Sequence, residues 1–367
     1  MKVLIFKDSL QSGGAERRLV ELLKGLSTTG KFHFDLVLMN KEVHYTDVFR
    51  IKNITIHYLV RDTKRDLKIF GKFFRLCKQL KPDVVHTWDL MTSFYTLPVV
   101  ALSRIPWING RITIAPLTIK PFSPDWFFTK ITYYFSDVVL ANSKAGLKVF
   151  RVPEKKALCI YNGFDFNRLA NLKNTETVKN EFDIKTPFAV CMVASFTKVK
   201  DYNTFFAAAE IITGKRNDIT FLAIGEGDNY LFYKNKYQNS SLIKLLGRQK
   251  DVESIVNCCD ISVLCSAAEG ISNSLMESMA LGKPVIATSI GGTPELVINN
   301  DTGFIIGFQA CDTLVQKIEY LINNPEVKNE MGQKGKKRIE QNFSQQVMNE
   351  KFFSLYSKYQ RGSGDAV

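Results

Sequence analysis

The stretch Ser266 to Val297, S-A-A-E-G-I-S-N-S-L-M-E-S-M-A-L-G-K-P-V-I-A-T-S-I-G-G-T-P-E-L-V, reads as loop, helix, buried strand, loop and helix. Ahead of it, Ile261-Ser-Val-Leu-Cys265 is short, apolar and β-branched, the pattern of a buried strand. Glu269-Gly270 breaks that strand. Ser272, Asn273 and Ser274 are helix-start residues, and Leu275, Met276, Met279, Ala280 and Leu281 give the helix an apolar side. Gly282-Lys283-Pro284 ends it, and Val285 to Thr288 forms the next strand. Gly291-Gly292, with Thr293 as cap and Pro294 at the first helical position, opens another helix.

Two carboxylates stand eight residues apart here, Glu269 at the end of a strand and Glu277 in the first turn of a helix. A loop carboxylate, backbone N–H groups and a helix dipole around one crevice can hold a phosphate together with a polyhydroxyl ligand. A second reading fits the same residues. Ser274-x-x-Glu277 is also a capping-box pattern, in which the glutamate only closes its own helix. Glu269 is then an ordinary loop acid. Spacing alone leaves both readings open.

The alternation extends outward in both directions. In the second half, strand Phe188 to Ala194 leads to Ser195-Phe-Thr-Lys198-Val-Lys200-Asp201 and a helix from Asn203. Strand Ile219 to Ile224 ends in Gly225-Glu226-Gly227. Ile243 to Leu246 precedes Gly247-Arg248-Gln249, and a helix covers Val252 to Cys259. In the first half, strands are expected at Lys2–Phe6, Phe34–Met39, Ile54–Leu59, Pro82–His86, Asp137–Ala141 and Ala157–Tyr161. Each half is thus its own βαβα unit. The expected architecture is α/β: two Rossmann-like domains, 1–167 and 187–343, joined by a polar, lysine-rich linker at 168–186 and facing across a cleft. The tail at 344–367 carries Val347, Phe352, Phe353, Leu355 and Tyr356 at helical spacing and has no strand to follow it. It is expected to cross back to the first domain.

The 367 residues, 45% of them hydrophobic, suffice for two cores. No apolar run approaches the roughly 18–20 residues that span a bilayer. Met1-Lys-Val-Leu-Ile-Phe enters a strand pattern directly and is too short for a signal peptide. The seven cysteines show no metal spacing and read as reduced core thiols of a cytoplasmic protein. The net charge of +13 is lopsided: residues 1–184 hold 29 Lys and Arg against 17 Asp and Glu, while residues 185–367 hold 20 against 19. A basic excess confined to one half points to an anionic partner for that half. No nucleic-acid recognition motif is present. The remaining candidates are an anionic membrane surface or a lipid-phosphate substrate, against a generally basic solvated surface.

Within the first half, Ser12-Gly13-Gly14-Ala15-Glu16 follows a strand and opens a helix, a backbone cradle that a phosphate can approach. The helix over Asp66–Leu80 sets Leu67, Phe70, Phe73, Phe74 and Cys77 on one side among basic residues; it either packs on the domain or lies on a membrane. Pro82-Asp-Val-Val-His86 ends in Thr87, Trp88 and Asp89. Of the four histidines, His86 alone stands where parallel sheets place ligands. Lys120 to Phe128 is aromatic and proline-bearing and runs into a helix with Ile131, Tyr134 and Phe135. That segment is either a lip that contacts acceptor or membrane, or aromatic core. Asn142-Ser143 caps a helix at a strand's carboxyl end, and Asn162-Gly163-Phe164-Asp165 is a turn.

These residues resemble the retaining nucleotide-sugar glycosyltransferases of family 4, which have the GT-B two-domain architecture. The motifs are Glu269-x7-Glu277, Ala280-Leu-Gly-Lys-Pro-Val285, Gly291-Gly292-x-x-Glu295, Gly13-Gly14-Ala15-Glu16 and Asn162-Gly163-Phe164-Asp165. The resemblance covers nearly the whole chain and is strongest from Lys185 to Phe304. It implies that Glu269 holds donor-sugar hydroxyls and Glu277 ribose hydroxyls, each carboxylate accepting two hydrogen bonds. The amides from Gly270 and Ile271 through Ser272, Asn273 and Ser274 would face the pyrophosphate. Lys200 would pair with the diphosphate and stabilise its leaving charge. Gly13 and Gly14 would border it, Arg248 and its neighbours would line the base pocket, and His86 would sit over the sugar. Ser143 and Trp88 are implied on the acceptor side. One departure stands out: the family usually places Arg where this chain has Ser195. That leaves Lys200, with Lys198 nearby, to meet the phosphate charge.

The implied reaction moves a sugar from a nucleotide-sugar, with UDP as the expected base carrier, to an acceptor hydroxyl with the anomeric configuration kept. The acceptor is expected to be a lipid-linked or cell-envelope glycan at the inner face of the cytoplasmic membrane. No Asp-x-Asp occurs, so no metal and no cofactor are expected. Two alternatives remain: a nucleotide-sugar epimerase or phosphorylase on a similar scaffold, or a degenerate relative that scaffolds envelope assembly.

Overall fold

The computed structural model describes every residue except 12, 64–65, 117–118, 120–122 and 361–367, and the side chains of 124 and 125 also stand outside the description. Ser12 of the glycine-rich turn and part of the Lys120–Phe128 stretch therefore lie outside the described residues. The chain divides into two compact units, Met1–Gly163 with the chain from Gln345 onward, and Phe164–Ser344.

The first unit alternates strand and helix: β1 (Lys2–Lys7), α1 (Gly14–Ser27), β2 (His33–Leu38), β3 (Ile54–Tyr58), α2 (Lys68–Leu80), β4 (Val84–Thr87), α3 (Leu90–Ser103), β5 (Trp107–Ile112), α4 (Pro124–Phe135), β6 (Val138–Ala141), α5 (Lys144–Val149) and β7 (Ala157–Cys159). Its sheet runs β3-β2-β1-β4-β5-β6-β7, all parallel, with Val3 registered between Phe34 and Val84. Parallel strands are covered on both faces, which is why Val3 through Phe6 are fully buried. One face packs on Leu19, Leu22, Leu23 and Leu26 of α1, the other on Ile69, Phe73 and Cys77 of α2 with Tyr95 and Val99 of α3. Buried aliphatic and aromatic side chains of this kind contribute roughly 1.5–3 kcal/mol each.

The second unit repeats the scheme: α6 (Thr175–Glu181), β8 (Phe188–Val193), α7 (Tyr202–Thr213), β9 (Ile219–Ile224), α8 (Tyr230–Lys236), β10 (Ile243–Gly247), α9 (Val252–Asn257), β11 (Ile261–Leu264), α10 (Asn273–Ala280), β12 (Val285–Thr288), α11 (Thr293–Leu296), β13 (Gly303–Ile306), α12 (Cys311–Asn323) and α13 (Pro325–Asn342). Its sheet order is β10-β9-β8-β11-β12-β13, again parallel. The last helix, α14 (Gln345–Ser357), belongs to the first unit, where Met348, Phe352, Leu355 and Tyr356 join the core beside α1.

Four expectations need correction. The stretch 168–186 is not a linker: Val178 and Ile184 are buried with Ala189, Cys191 and Leu222, and the Lys173 amide donates to Ser254 Oγ at 2.9 Å. Two apolar residues in a polar run were enough to anchor it, so the unit begins at Phe164. Helix α2 packs on the domain through one apolar side that holds Ile69, Phe70, Phe73 and Cys77, but Leu67 and Phe74 fall outside that side and are exposed. In α11 Gly292 is the cap and Thr293 the first helical residue. Helix α10 is capped by Ser272, whose hydroxyl accepts from the Leu275 amide, so Ser274 makes no capping box.

Candidate functional site

In a doubly wound sheet, ligands settle at the carboxyl ends of the strands where the order reverses. In the second unit that point lies between β8 and β11, which pair directly, with β9 and β10 on one side and β12 and β13 on the other. The loops leaving β8 and β11 carry Lys200 and Glu269.

Backbone hydrogen bonds tie these two loops together. Asp201 N donates to Cys265 O at 2.9 Å, Ala267 N donates to Val199 O at 2.8 Å, and Lys200 bridges Ser266 in antiparallel sense. The β8 loop is also held from beneath. Tyr202 stacks on Phe196 with ring centroids 3.7 Å apart, and its hydroxyl donates to Ala194 O at 2.7 Å. Gly225 and Gly227, at φ 142° and 150°, let the next loop pass close to the carbonyls of Ala194 and Phe196.

This stapling brings the Lys200 ammonium onto Glu269 Oε1, which also accepts from Ser266 Oγ at 2.5 Å. Glu269 is buried, and Gly292 of the Gly-Gly turn donates to its carbonyl at 3.3 Å. Helix α10 opens at Ser272, a few residues beyond, so Ile271 to Ser274 form its mouth. Lys198 and Lys200 line one cavity of about 220 Å³ with Asp201, Asn203 and Asn229. Two cations border this hollow, whose lining includes neither Glu269 nor the α10 mouth.

Glu277 lies in the second turn of α10, and its carboxylate is buried. Arg168 Nη2 donates to Glu277 Oε1 at 2.8 Å and to Glu253 Oε1, so one guanidinium bonds two buried acids. Arg168 was not among the expected site residues. Its signal was its place three residues after Asp165 in the Asn-Gly-Phe-Asp turn, hidden by the assignment of 168 to a linker. Arg248 follows Gly247 at the end of β10, pairs at 3.5 Å with Glu226 and is largely exposed. With Gln249, Lys250, Asp251 and Lys173 it lines a second cavity of about 350 Å³.

In the first unit the order reverses between β1 and β4. Here the sequence reading missed Lys7, Asp8, Arg61 and Asp89. The Asp8 amide donates to Asp89 Oδ2 at 2.8 Å, Lys7 pairs with Glu16 at 2.9 Å, and Arg61 pairs with Asp8 at 2.5 Å. Asp89 also caps α3 by accepting from the Thr92 amide at 2.8 Å. Burial and then the Asp89 charge raise the Asp8 carboxyl above its ordinary range. Burial opposes the Lys7 charge, but Asp89 and Glu16 outweigh it and raise its pKa. Position at or just past the carboxyl ends of β1, β3 and β4 was the signal available for these groups. Gly13 caps α1 in extended conformation and is bonded to the Tyr45 hydroxyl, with Gly14 as the first helical residue.

The structure corrects His86. Its ring is fully buried on β4, with Nδ1 2.8 Å from the Tyr356 hydroxyl and Gly110 against Nε2. Burial, and then the nearby Arg18 charge, push its pKa well below the ordinary histidine value, so it stays neutral. A ring closed in by α14 has no face to offer a sugar. Trp88 is buried in the same cluster, 6.3 Å from the Phe352 ring. Ser143 is buried as the cap of α5, accepting from Gly146 N at 3.1 Å.

A family model described as Glycosyl transferases group 1 matches residues 174–338, and one described as Glycosyltransferase Family 4 matches residues 12–168. An uncharacterised glycosyltransferase of Methanocaldococcus jannaschii is 34% identical over 260 residues, 68% of this chain and 69% of that one. The Campylobacter jejuni N-acetylgalactosamine-N,N'-diacetylbacillosaminyl-diphospho-undecaprenol 4-alpha-N-acetylgalactosaminyltransferase is 24% identical over 92% of this chain and 94% of that one. Against the capsular polysaccharide biosynthesis glycosyltransferase CapM of Staphylococcus aureus, 29% identical, the chain spans about half of that relative's length, 54%. Among solved structures, Anabaena HepE in complex with UDP superposes with a TM-score of 0.83 at 18% identity, over 98% of this chain and 100% of that one.

Proposed function

We propose that this chain, which belongs to glycosyltransferase family 4 and has the GT-B fold, transfers a sugar from a UDP-sugar to a hydroxyl of a lipid-linked or cell-envelope glycan, with retention and without a metal. The observation that carries this reading is the Lys200–Glu269 pair at the switch point of the second sheet, beside the mouth of α10. The ammonium and the helix N-terminus both stabilise negative charge, and the buried carboxylate accepts hydrogen bonds from hydroxyl groups.

In this reading the diphosphate takes Lys200 away from Glu269 and frees that carboxylate to hold two sugar hydroxyls. As the sugar–phosphate bond breaks, Lys200, Lys198 and the α10 amides meet the charge that grows on the leaving phosphate. The leaving phosphate itself accepts the acceptor proton. Glu277, oriented by Arg168, accepts from the ribose hydroxyls, and the loop from Arg248 borders the base. The lack of any Asp-x-Asp supports a metal-free reaction. UDP bound to HepE supports the choice of base, and the Campylobacter enzyme's diphospho-undecaprenol acceptor supports a lipid-linked one. An acceptor of that kind would place the chain at the inner face of the cytoplasmic membrane, held there peripherally. No described helix is long and apolar enough to cross a membrane.

The test is UDP release from a panel of UDP-sugars with and without lipid-linked acceptors. Release that depends on acceptor, and falls in Lys200→Ala and Glu269→Ala, is the expected result. Turnover in both variants equal to the parent would remove the site assignment.

A further inference from the structure

Helix α4 is built inside out. Its inner face sets Thr129, Thr132 and Tyr133 against the sheet, and the buried Ser136 follows at its carboxyl end. Its outer face sets Phe127, Ile131, Tyr134 and Phe135 toward solvent, and Tyr134 is 79% exposed. The spacing, one residue followed by others four, seven and eight positions on, is a single helical stripe. A surface helix of a globular domain ordinarily shows the reverse, and a contiguous exposed apolar stripe marks an interaction site. Leu102 at the end of the neighbouring α3 is 78% exposed as well, and the Phe94 and Phe128 rings, 5.9 Å apart, join the two helices.

Basic residues flank the stripe on one side. Between Lys144 and Lys156 the chain carries five Lys and Arg and one acid, Glu154. This segment is fastened to α4: Lys156 Nζ donates to the carbonyls of Tyr133, Tyr134 and Ser136, each at 2.8 Å, and Tyr133 donates to Phe150 O at 3.3 Å. Lys144, Lys148, Arg151 and Lys155 remain exposed beside it. Aromatic and aliphatic side chains that enter an interface, rimmed by cations that meet phosphate head groups, are the two components of reversible binding to an anionic bilayer. The α2 face, the sequence-level candidate, lacks this pairing because its apolar residues are mostly turned inward.

We propose that the outer face of α4, with the basic segment 144–156, is the surface by which this chain docks on an anionic lipid bilayer. The choice of partner rests on the membrane-held acceptor proposed above; the surface itself does not.

The experiment is co-sedimentation of the full chain with phosphatidylcholine vesicles, with and without phosphatidylglycerol, over a salt series. Binding is expected only with the anionic lipid and to weaken as salt rises. Ile131→Ser with Tyr134→Ser, and separately Lys148→Glu with Lys155→Glu, should each lower the bound fraction on the order of tenfold or more. Arg75→Glu with Lys78→Glu on α2 should leave it unchanged. A UDP thermal shift retained in every variant shows that the fold and donor site survive, so failure of the docking surface reads separately from failure of the transferase reading. Binding indifferent to lipid charge, undiminished in the α4 and basic-segment variants, or lost in the α2 variant overturns the proposal. So does concentration-dependent self-association that the Ile131/Tyr134 change abolishes without any vesicle binding.

Discussion

Arg168 Nη2 lies 2.8 Å from Glu277 Oε1, bonds Glu253 as well, and its guanidinium stands over the Phe164 ring at 4.9 Å. Glu253 comes from α9 and Glu277 from α10, so the guanidinium joins two helices at the foot of the proposed ribose site. Removing it leaves two buried carboxylates facing each other. Arg168→Met is expected to cost about 3–5 kcal/mol of stability, since it removes the cation that is paired with two buried acids. The KM for UDP-sugar should rise as Glu277 loses its orientation. Arg168→Lys should recover only part of both, because it keeps the charge but lacks the planar guanidinium that stands over the Phe164 ring. Urea titration and steady-state kinetics check this, and unchanged values would refute the orienting role.

Lys200→Ala removes the charge that meets the leaving phosphate. The expected loss in kcat is about 10²–10³-fold, the size seen when one preorganised donor is deleted. UDP should shift the melting temperature less in this variant than in the parent, since binding to the native state is weaker. Lys198→Ala should show a smaller loss of the same kind if both cations serve the hollow they line. A Lys198 variant that matches the parent assigns the diphosphate to Lys200 alone.

Stability should fall on mild acidification through His86. Its folded-state pKa is depressed, by burial first and then by Arg18. Above the ordinary histidine value of about 6.5, the ring is neutral in both folded and unfolded chains and contributes no slope. Below it, the unfolded chain takes up a proton that the folded chain excludes. Stability is then lost at about 1.4 kcal/mol per pH unit. His86→Asn should flatten that part of the profile, measured by urea unfolding at a series of pH values. An equal slope in parent and variant would place the dependence elsewhere.

Two glycines should respond in opposite directions to alanine. At Gly225 the backbone has φ 142° and a Cβ would stand 2.0 Å from the Ala194 carbonyl. Gly225→Ala is expected to cost at least about 2 kcal/mol. It should also lower activity with Lys200 intact, by moving the loop that presents it. Gly71, within α2, has nothing within 4 Å of the added carbon. Gly71→Ala is expected to stabilise by about 0.5–1 kcal/mol, through the lower entropy of the unfolded chain and better helix propensity. Chemical denaturation of the two variants side by side is the measurement.

Much of the architecture was legible. Runs such as Val3–Phe6 and Ile261–Leu264 are apolar on both faces and punctuated by Gly, Pro and capping residues. Buried parallel strands must look this way, so two βαβ units could be read from one-dimensional pattern. The same pattern sets Glu269 and Lys200 just past the ends of two such strands, while the roles expected of them came from the family resemblance. The errors fell where the deciding contact is remote. His86 sits at a strand's end like a ligand residue, but Tyr356, 270 positions away, closes over it. Stretch 168–186 is polar enough for a linker, but Val178 and Ile184 find a core. Ser274-x-x-Glu277 has capping-box spacing, but Arg168 takes the glutamate and Ser272 takes the cap.

The sequence by itself determined two parallel α/β units and the loops on which charged residues would emerge, because strand and helix periods and their stop signals are local properties. Only the tertiary structure decided which charges meet. Lys200 reaches Glu269 across 69 residues and Arg168 reaches Glu277 across 109, and α4 keeps its aromatic side outward. Those outcomes depend on how helices pack onto sheets, and packing is fixed by the shape of the whole core rather than by any neighbour in the chain.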